Sequence, residues 1–154
     1  MNVQYINPFV NVSMNLIKQL TNVDVKRGQI FVKNSPFLAN NVVIIIGIAG
    51  DFKGQVFISM NEATACSIAS AMMFGMEVPA LDEMSKSAIA EMGNMILGNV
   101  STEFYNIGVK IDITPPTVMV GQDINISTKG IQTVCIPLEI QTGGVVELDI
   151  AVMD

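Results

Sequence analysis

The sequence predicts an α+β fold in which helices pack on one face of a mostly antiparallel sheet. Three observations support this prediction. The apolar pattern changes from helical to strand-like twice along the chain, Gly-containing turns join apolar β-branched runs, and half of the 154 residues are hydrophobic while 14% are charged. A chain of this length and composition can bury a core of its own, so we expect residues 1–154 to form one domain.

The first elements are predicted to be a helix and a short strand region. Asn7 is placed to cap a helix whose first residue is Pro8, where a missing N–H costs nothing. The apolar residues that follow at helical spacing are Phe9, Val12, Leu16 and Leu20. Alternating apolar residues in 23–32 then indicate strand structure, with a turn at Gly28.

The centre of the chain predicts a hairpin followed by a compact helix. Residues 34–41 contain a proline together with Asn and Ser residues, which indicates a loop. The apolar β-branched run 42–48 leads over a Gly/Asp turn into a second apolar run, as in a β-hairpin. Asn61 is placed to cap a helix that stops at Gly75.

The longest helical pattern lies in residues 82–105, which contain no proline. At about 100° per residue, one side of this helix should face the core. That side carries Ile89, Gly93, Ile96, Leu97, Val100, Phe104 and Ile107. The opposite side carries Ser87, Glu91, Asn94 and Gly98, flanked by Met84, Met95, Thr102 and Tyr105. A solvated helix face usually carries Lys and Glu, so this outer side is the candidate functional surface.

The chain after Gly108 predicts strands only. Residues 109–120 contain Pro115 and Pro116, which cannot donate ladder hydrogen bonds, so this piece is expected at a sheet edge or a bulge. A short strand is expected in 123–127. Two apolar runs, 134–140 and 145–152, flank adjacent glycines and predict a second hairpin.

Composition excludes several functional classes. The absence of histidine from the sequence excludes Ser-His-Asp and Cys-His triads and every His-ligated metal site. A net charge of −6 with scattered basic residues argues against nucleic-acid binding. Cys66 and Cys135 are isolated, which predicts reduced thiols in a cytoplasmic protein. No secretion signal is recognisable, and the most apolar run is far shorter than the roughly 20 residues that span a bilayer.

The residues alone leave two interpretations of the outer helix face open. Glu91 and Asn94 are helix neighbours, and such a pair occurs by chance in many solvated helices. Alternatively, Glu91 forms a salt bridge to a partner and Asn94 presents its amide to a reaction centre. A lone carboxylate holds no metal and no activated nucleophile is nearby, so any chemistry would be positioning. Gly98 costs about 1 kcal/mol relative to alanine in a helix, and its outward position would let a partner's backbone approach.

The spacing Ser87-xxx-Glu91-xx-Asn94-xxx-Gly98 resembles the signature of the CheC/CheX family of chemotaxis phosphatases. The opening residues 5–9 and the stretch 112–118 are similar to the CheX-like members, and the likeness covers essentially the whole chain. The resemblance implies a phosphatase that hydrolyses the aspartyl phosphate of the response regulator CheY.

The resemblance also implies a role for each residue of the signature. Glu91 would pair with the active-site lysine of the receiver, and Asn94 would orient the attacking water. Ser87, Met95 and Gly98 would meet the partner. The Mg²⁺ would belong to the receiver's site, so the chain would need no metal or other cofactor of its own.

Further expectations concern assembly and the number of sites. The resemblance to CheX-like proteins implies a homodimer formed through sheet edges. CheC proteins carry two such helices, but the first helix here has Pro8-xx-Asn11 in the matching place, and proline cannot form the salt bridge. One site per chain is therefore expected. The rival function is a non-catalytic binding adaptor of the chemotaxis and flagellar switch system, which would have no need for Asn94.

Overall fold

The computed structural model describes residues 3–141 and 143–153, in which helices and strands alternate as follows. The helices are α1 (Val3–Thr21), α2 (Glu62–Met72) and α3 (Glu83–Asn106). The strands are β1 (Val25–Arg27), β2 (Phe31–Lys33), β3 (Phe37–Leu38), β4 (Val42–Gly50), β5 (Lys53–Met60), β6 (Ile111–Ile113), β7 (Thr117–Val120), β8 (Asn125–Ile126), β9 (Thr133–Ile140) and β10 (Val145–Met153).

The main sheet is antiparallel throughout, and its order is β1-β9-β10-β5-β4-β6. The predicted hairpins β4–β5 and β9–β10 are confirmed, and β5 and β10 pair at the centre, with Phe57 opposite Asp149. The short strands β1 and β2, which follow α1, pair with β9, whereas β6 and β7, which follow α3, pair with β4. Each half of the chain thus supplies edge strands to the other half. Pro115 and Pro116 separate β6 from β7 at the sheet edge, as predicted.

All three helices pack on one face of this sheet, which confirms the predicted α+β arrangement. The largest fully buried side chains between helices and sheet are Phe9, Phe104, Ile17, Ile44, Ile46, Ile58, Met60, Ile68, Ile89, Met92, Ile96 and Leu97. Burying an aliphatic or aromatic side chain contributes about 1.5–3 kcal/mol, so this layer dominates the stability of the fold.

The predicted start of the first helix was wrong. Helix α1 already includes Val3, and Pro8 lies inside it rather than at its first position. The turn before Pro8 is held by aromatic packing, because the Tyr5 ring lies 4.7 Å from that of Phe52 and 6.1 Å from that of Phe104. This tertiary contact offsets the hydrogen bond that proline cannot donate.

The sheet face opposite the helices is partly covered, which the sequence did not predict. Strands β3 and β8 form a small two-stranded sheet in segments expected to be a loop and an isolated strand. Phe37 and Ile126 from this sheet pack against Val43 and Phe57 of the main sheet. The expectation that 34–41 is only a loop was therefore wrong, because Phe37 finds a buried apolar surface.

A buried ion pair ties β2 to the same face. The Lys33 Nζ lies 3.0 Å from the Asp149 Oδ2 and 3.5 Å from the Glu147 Oε1. Burial raises the pKa of Asp149, and the adjacent Lys33 ammonium opposes that shift. Removing one partner of such a pair would leave a buried charge without compensation. The pair therefore fixes how β2 lies across β9 and β10.

Helix α3 (Glu83–Asn106) follows the N-cap residue Asp82 and lies close to the predicted bounds. The backbone N–H of Ser85 donates to the Asp82 carboxylate at 2.9 Å, and the Asp82 N–H donates to the Ser85 hydroxyl at 2.8 Å. The Ser85 N–H holds the pKa of Asp82 below its usual range. The inward assignment of Ile107 was wrong: its side chain is 55% exposed, because the helix ends one residue earlier.

The two glycines of α3 have opposite surroundings. A Cβ on Gly93 would lie 2.8 Å from the Ile44 Cγ2, whereas a Cβ on Gly98 would have no neighbour within 4 Å. Gly93 therefore lets α3 lie directly on β4. Further along, the Ser101 hydroxyl donates to the carbonyl of Ile111 in β6 at 3.2 Å, which fixes the C-terminal half of the helix.

We predict that Gly93→Val lowers the free energy of unfolding by about 2–3 kcal/mol, because the added atoms overpack the contact with Ile44. Gly98→Ala should raise it by up to about 1 kcal/mol through helix propensity. Urea unfolding followed by circular dichroism measures both changes. Equal stabilities for Gly93→Val and the parent would contradict this account of α3 on β4.

Candidate functional site

The outward face of α3 carries the residues singled out in the sequence. Ser87, Glu91 and Asn94 are exposed. Gly98 lies in line with them and is half-buried, and Met95 lies at the side of the same face and is also half-buried. The rotation of α3 about its own axis decides which residues face outward. It is fixed by the capping box at Asp82, by the contact of Gly93 with Ile44 and by the burial of the opposite stripe. The site is thus a convex helix surface, not a cleft.

The Glu91 carboxylate and the Asn94 amide on this face have no partners among the described residues. Within residues 3–141 and 143–153, the carboxylate of Glu91 and the amide of Asn94 form no hydrogen bond or ion pair. The nearest basic residue of the helix, Lys86, pairs with Glu83 instead, at 3.4 Å on the surface. Glu91 and Asn94 are therefore both available to another molecule.

The chemistry available to this surface is limited. The described residues contain no cluster of three or more Asp, Glu, Cys or His side chains placed to hold a metal. Burial raises the pKa of the Cys66 thiol, and the nearby Glu62 and Asp82 add to that shift. Burial likewise raises the pKa of Cys135, and both cysteines are free. Neither thiol is an activated nucleophile.

A carboxylate beside an amide can still recognise and orient a partner. The carboxylate accepts hydrogen bonds from a cation, and the amide both donates and accepts. At the matching place in α1, Pro8 is half-buried and Asn11 is exposed, so α1 presents no carboxylate there. The described part of the chain also has no helix long and apolar enough to cross a membrane.

Sequence reasoning noted Met84 and Tyr105 beside the outer face but did not include them in the site. Both side chains are largely exposed, at 62% and 66%. The helical wheel already indicated their direction. The signal that separates them from ordinary surface residues is their exposure, which only the structure supplies.

Comparison with known proteins identifies the class first. The fold is similar to a CheC-like superfamily protein from Shewanella sp. PV-4, with a TM-score of 0.86, 26% identity and 97% of each chain covered. It is also similar to a chain of the CheX–CheY–BeF3–Mg²⁺ complex from Borrelia burgdorferi, with a TM-score of 0.84 and 30% identity. That match covers 99% of this chain and 100% of the other. The protein thus has a CheC-like fold.

The family follows from the sequence comparisons. The model of the family described as chemotaxis phosphatase CheX matches residues 42–139, which include the whole outer stripe of α3. A CheY-P phosphatase CheX from Thermotoga maritima is 34% identical over 131 residues, or 85% of this chain and 84% of the relative. The chain belongs to the CheX family, and the resemblance noted in the sequence is confirmed at that level.

Proposed function

We propose that this chain is a protein phosphatase that hydrolyses the aspartyl phosphate of a CheY-like response regulator. The observation that carries the proposal is the unpaired Glu91 and Asn94 on the exposed face of α3. Membership of the CheX family supports it, since the T. maritima relative is a CheY-P phosphatase. The reaction would take place in the cytoplasm, in a two-component pathway such as chemotaxis.

Glu91 acts in this proposal as the docking group. Its carboxylate accepts a hydrogen bond from the ammonium of the receiver's active-site lysine. This ion pair fixes the position of α3 over the phosphorylated aspartate. Close charge pairs at protein interfaces have coupling energies of roughly 1.5–7 kcal/mol, far more than an exposed pair in water. Because no cation pairs with Glu91 in the described part of the chain, its full interaction is left for the partner.

Asn94 acts as the group that orients water. It lies three residues from Glu91, so docking through Glu91 brings its amide next to the phosphoryl group. An amide oxygen accepts a hydrogen bond from water, and the lone pair of that water then points at phosphorus, in line with the leaving carboxylate. Phosphoryl transfer depends mainly on positioning and on electrostatic stabilisation.

The remaining groups of the site supply space and charge. Gly98 and Ser87 are small and leave room for the partner's backbone to approach α3, and Met95 offers adaptable apolar contact. The B. burgdorferi complex contains Mg²⁺ together with CheY. In our proposal Mg²⁺ likewise belongs to the receiver and neutralises charge on the phosphoryl oxygens, so this chain contributes no metal ligand or cofactor of its own.

A non-catalytic adaptor is the second candidate. An adaptor needs a docking residue such as Glu91, but it has no use for an amide aimed at the reaction centre. The intact pair of Glu91 and Asn94 therefore favours the phosphatase. Measured turnover separates the two functions.

We also propose a homodimer that forms through sheet edges. The edges of the main sheet are β1 with β2 at one end and β6 with β7 at the other. Phe31 and Val32 at one end, and Met119 and Val120 at the other, are exposed apolar residues. An exposed strand edge of this kind is a template for pairing with another chain.

We predict that Asn94→Ala lowers kcat for the dephosphorylation of phosphorylated CheY by about 100-fold or more, while binding changes little. Glu91→Ala should raise KM by about tenfold or more and also lower kcat, because it loosens the geometry over the aspartate. Single-turnover and steady-state loss of the phosphoryl group measure both variants.

Two results would argue against these assignments in different ways. If the parent protein binds phosphorylated CheY without accelerating its decay, the chain is an adaptor. If the parent is active and Asn94→Ala is equally active, the phosphatase stands but Asn94 does not orient the water.

We predict that Gly98→Leu raises KM by about tenfold or more without lowering the free energy of unfolding. The open space around Gly98 accommodates the side chain in the free protein, whereas a docked partner would collide with it. Gly98→Ala is the smaller matched variant and should have an intermediate KM. Normal kinetics of Gly98→Leu would remove Gly98 from the interface.

We predict that light scattering coupled to gel filtration gives twice the chain mass of 16.6 kDa. The measurement should be made over a range of micromolar concentrations, since edge pairing depends on concentration. A mass of one chain at every concentration would exclude the homodimer.

A further inference from the structure

Met84 and Tyr105 stand at opposite ends of the outward face of α3. They are 21 residues apart, which corresponds to about 31 Å along a helix that rises about 1.5 Å per residue. Ser87, Glu91 and Asn94 lie between them on the same side of the helix. The polar centre of the site is therefore bracketed by one large apolar side chain at each end.

The centre of this stripe coincides with the proposed reaction centre. The midpoint between residues 84 and 105 falls at Asn94 and Met95. A stable protein–protein interface covers about 800 Å² on each partner, which as a disc is roughly 32 Å across. An interface of ordinary size centred on Asn94 therefore extends to both Met84 and Tyr105.

The two side chains have the properties of contact residues. Methionine and tyrosine are enriched in interfaces. The flexible, polarizable thioether of methionine adapts to the surface of a partner, and the amphipathic ring of tyrosine gives contact area at small entropic cost. At 62% and 66% exposure, neither side chain gains much from the folded chain itself. Tyr105 also forms one wall of a surface groove of about 480 Å³, which Asp51, Ser101 and Lys110 help to line.

We propose that Met84 and Tyr105 are the two apolar anchors of the receiver domain when it is docked over Glu91 and Asn94. This inference rests on the proposed function, because it takes the phosphorylated receiver as the occupant of the α3 face. Continuity with the unpaired Glu91 and Asn94 favours this occupant. A second copy of the chain is proposed to bind at the sheet edges rather than on the outward face of α3, and the net charge of −6 disfavours an anionic membrane.

The test measures the affinity for CheY activated with BeF3 and Mg²⁺, and therefore does not depend on turnover. Met84→Ala and Tyr105→Ala should each raise Kd by about fivefold or more, the effect of removing a contributing interface residue. Tyr105→Phe should retain most of the affinity, because the ring and not the hydroxyl makes the contact. In steady-state assays KM should rise while kcat stays within about twofold, since neither side chain reaches the phosphoryl group.

The double variant and a matched control sharpen the test. The two ends are about 31 Å apart, so the Kd increases should multiply to about 25-fold in Met84→Ala/Tyr105→Ala. Leu38 is equally exposed at 65% but lies in β3, on the opposite side of the sheet. Leu38→Ala should leave Kd unchanged.

The possible failures are distinguishable. Unchanged Kd in both single variants, or an equal rise in Leu38→Ala, overturns the anchors and leaves the proposed function intact. Binding by the parent without dephosphorylation overturns the phosphatase, while the Kd series still tests the anchors. No binding by the parent overturns both. Urea unfolding of each variant establishes that a change in Kd does not arise from lost folding.

Discussion

The contact between Gly93 of α3 and Ile44 of β4 is the constraint on which the site depends. Because Gly93 has no Cβ, α3 lies closer to the sheet than it could with any other residue at this position. This contact sets the rotation of α3, and the rotation decides which side chains reach solvent. The buried stripe from Ile89 to Phe104 locks the same orientation over several turns. The polar face is thus held by the whole helical layer and not by local contacts among its own residues.

A rigid support of this kind suits chemistry that consists of positioning. The side chains of Glu91 and Asn94 make no hydrogen bonds to the described residues, so they lose none of these when a partner arrives. Their backbone positions are nevertheless fixed, because α3 is capped at Asp82 and tied to β6 through Ser101. The proposed enzyme therefore combines a pre-organised surface with free polar groups, and the receiver supplies the strong charges. Metal sites and nucleophiles are unnecessary on such a surface.

Much of the fold follows from local sequence signals, and the misses have identifiable causes. The hairpins and the cap at Asn61 depend on residues near one another in the chain, and the structure confirms them. The start of α1 was missed because Tyr5 packs on rings that are distant in sequence. The β3–β8 sheet was missed because its strands are too short to show an alternating apolar pattern. The two strands are also far apart in the sequence. Ile107 was misplaced by extending helical periodicity past the last turn.

The sequence by itself determined the long helix, its two faces and the placement of Glu91 and Asn94 on the outer one, because helical periodicity is a property of the chain alone. It also excluded histidine-based chemistry by composition. Only the tertiary structure decided that the atoms packed against Gly93 belong to Ile44 and Ile46 of β4. It likewise decided that Met84 and Tyr105 remain exposed at the two ends of the polar stripe. Neighbouring elements determine burial and clearance, and which elements become neighbours depends on contacts between residues far apart in the chain.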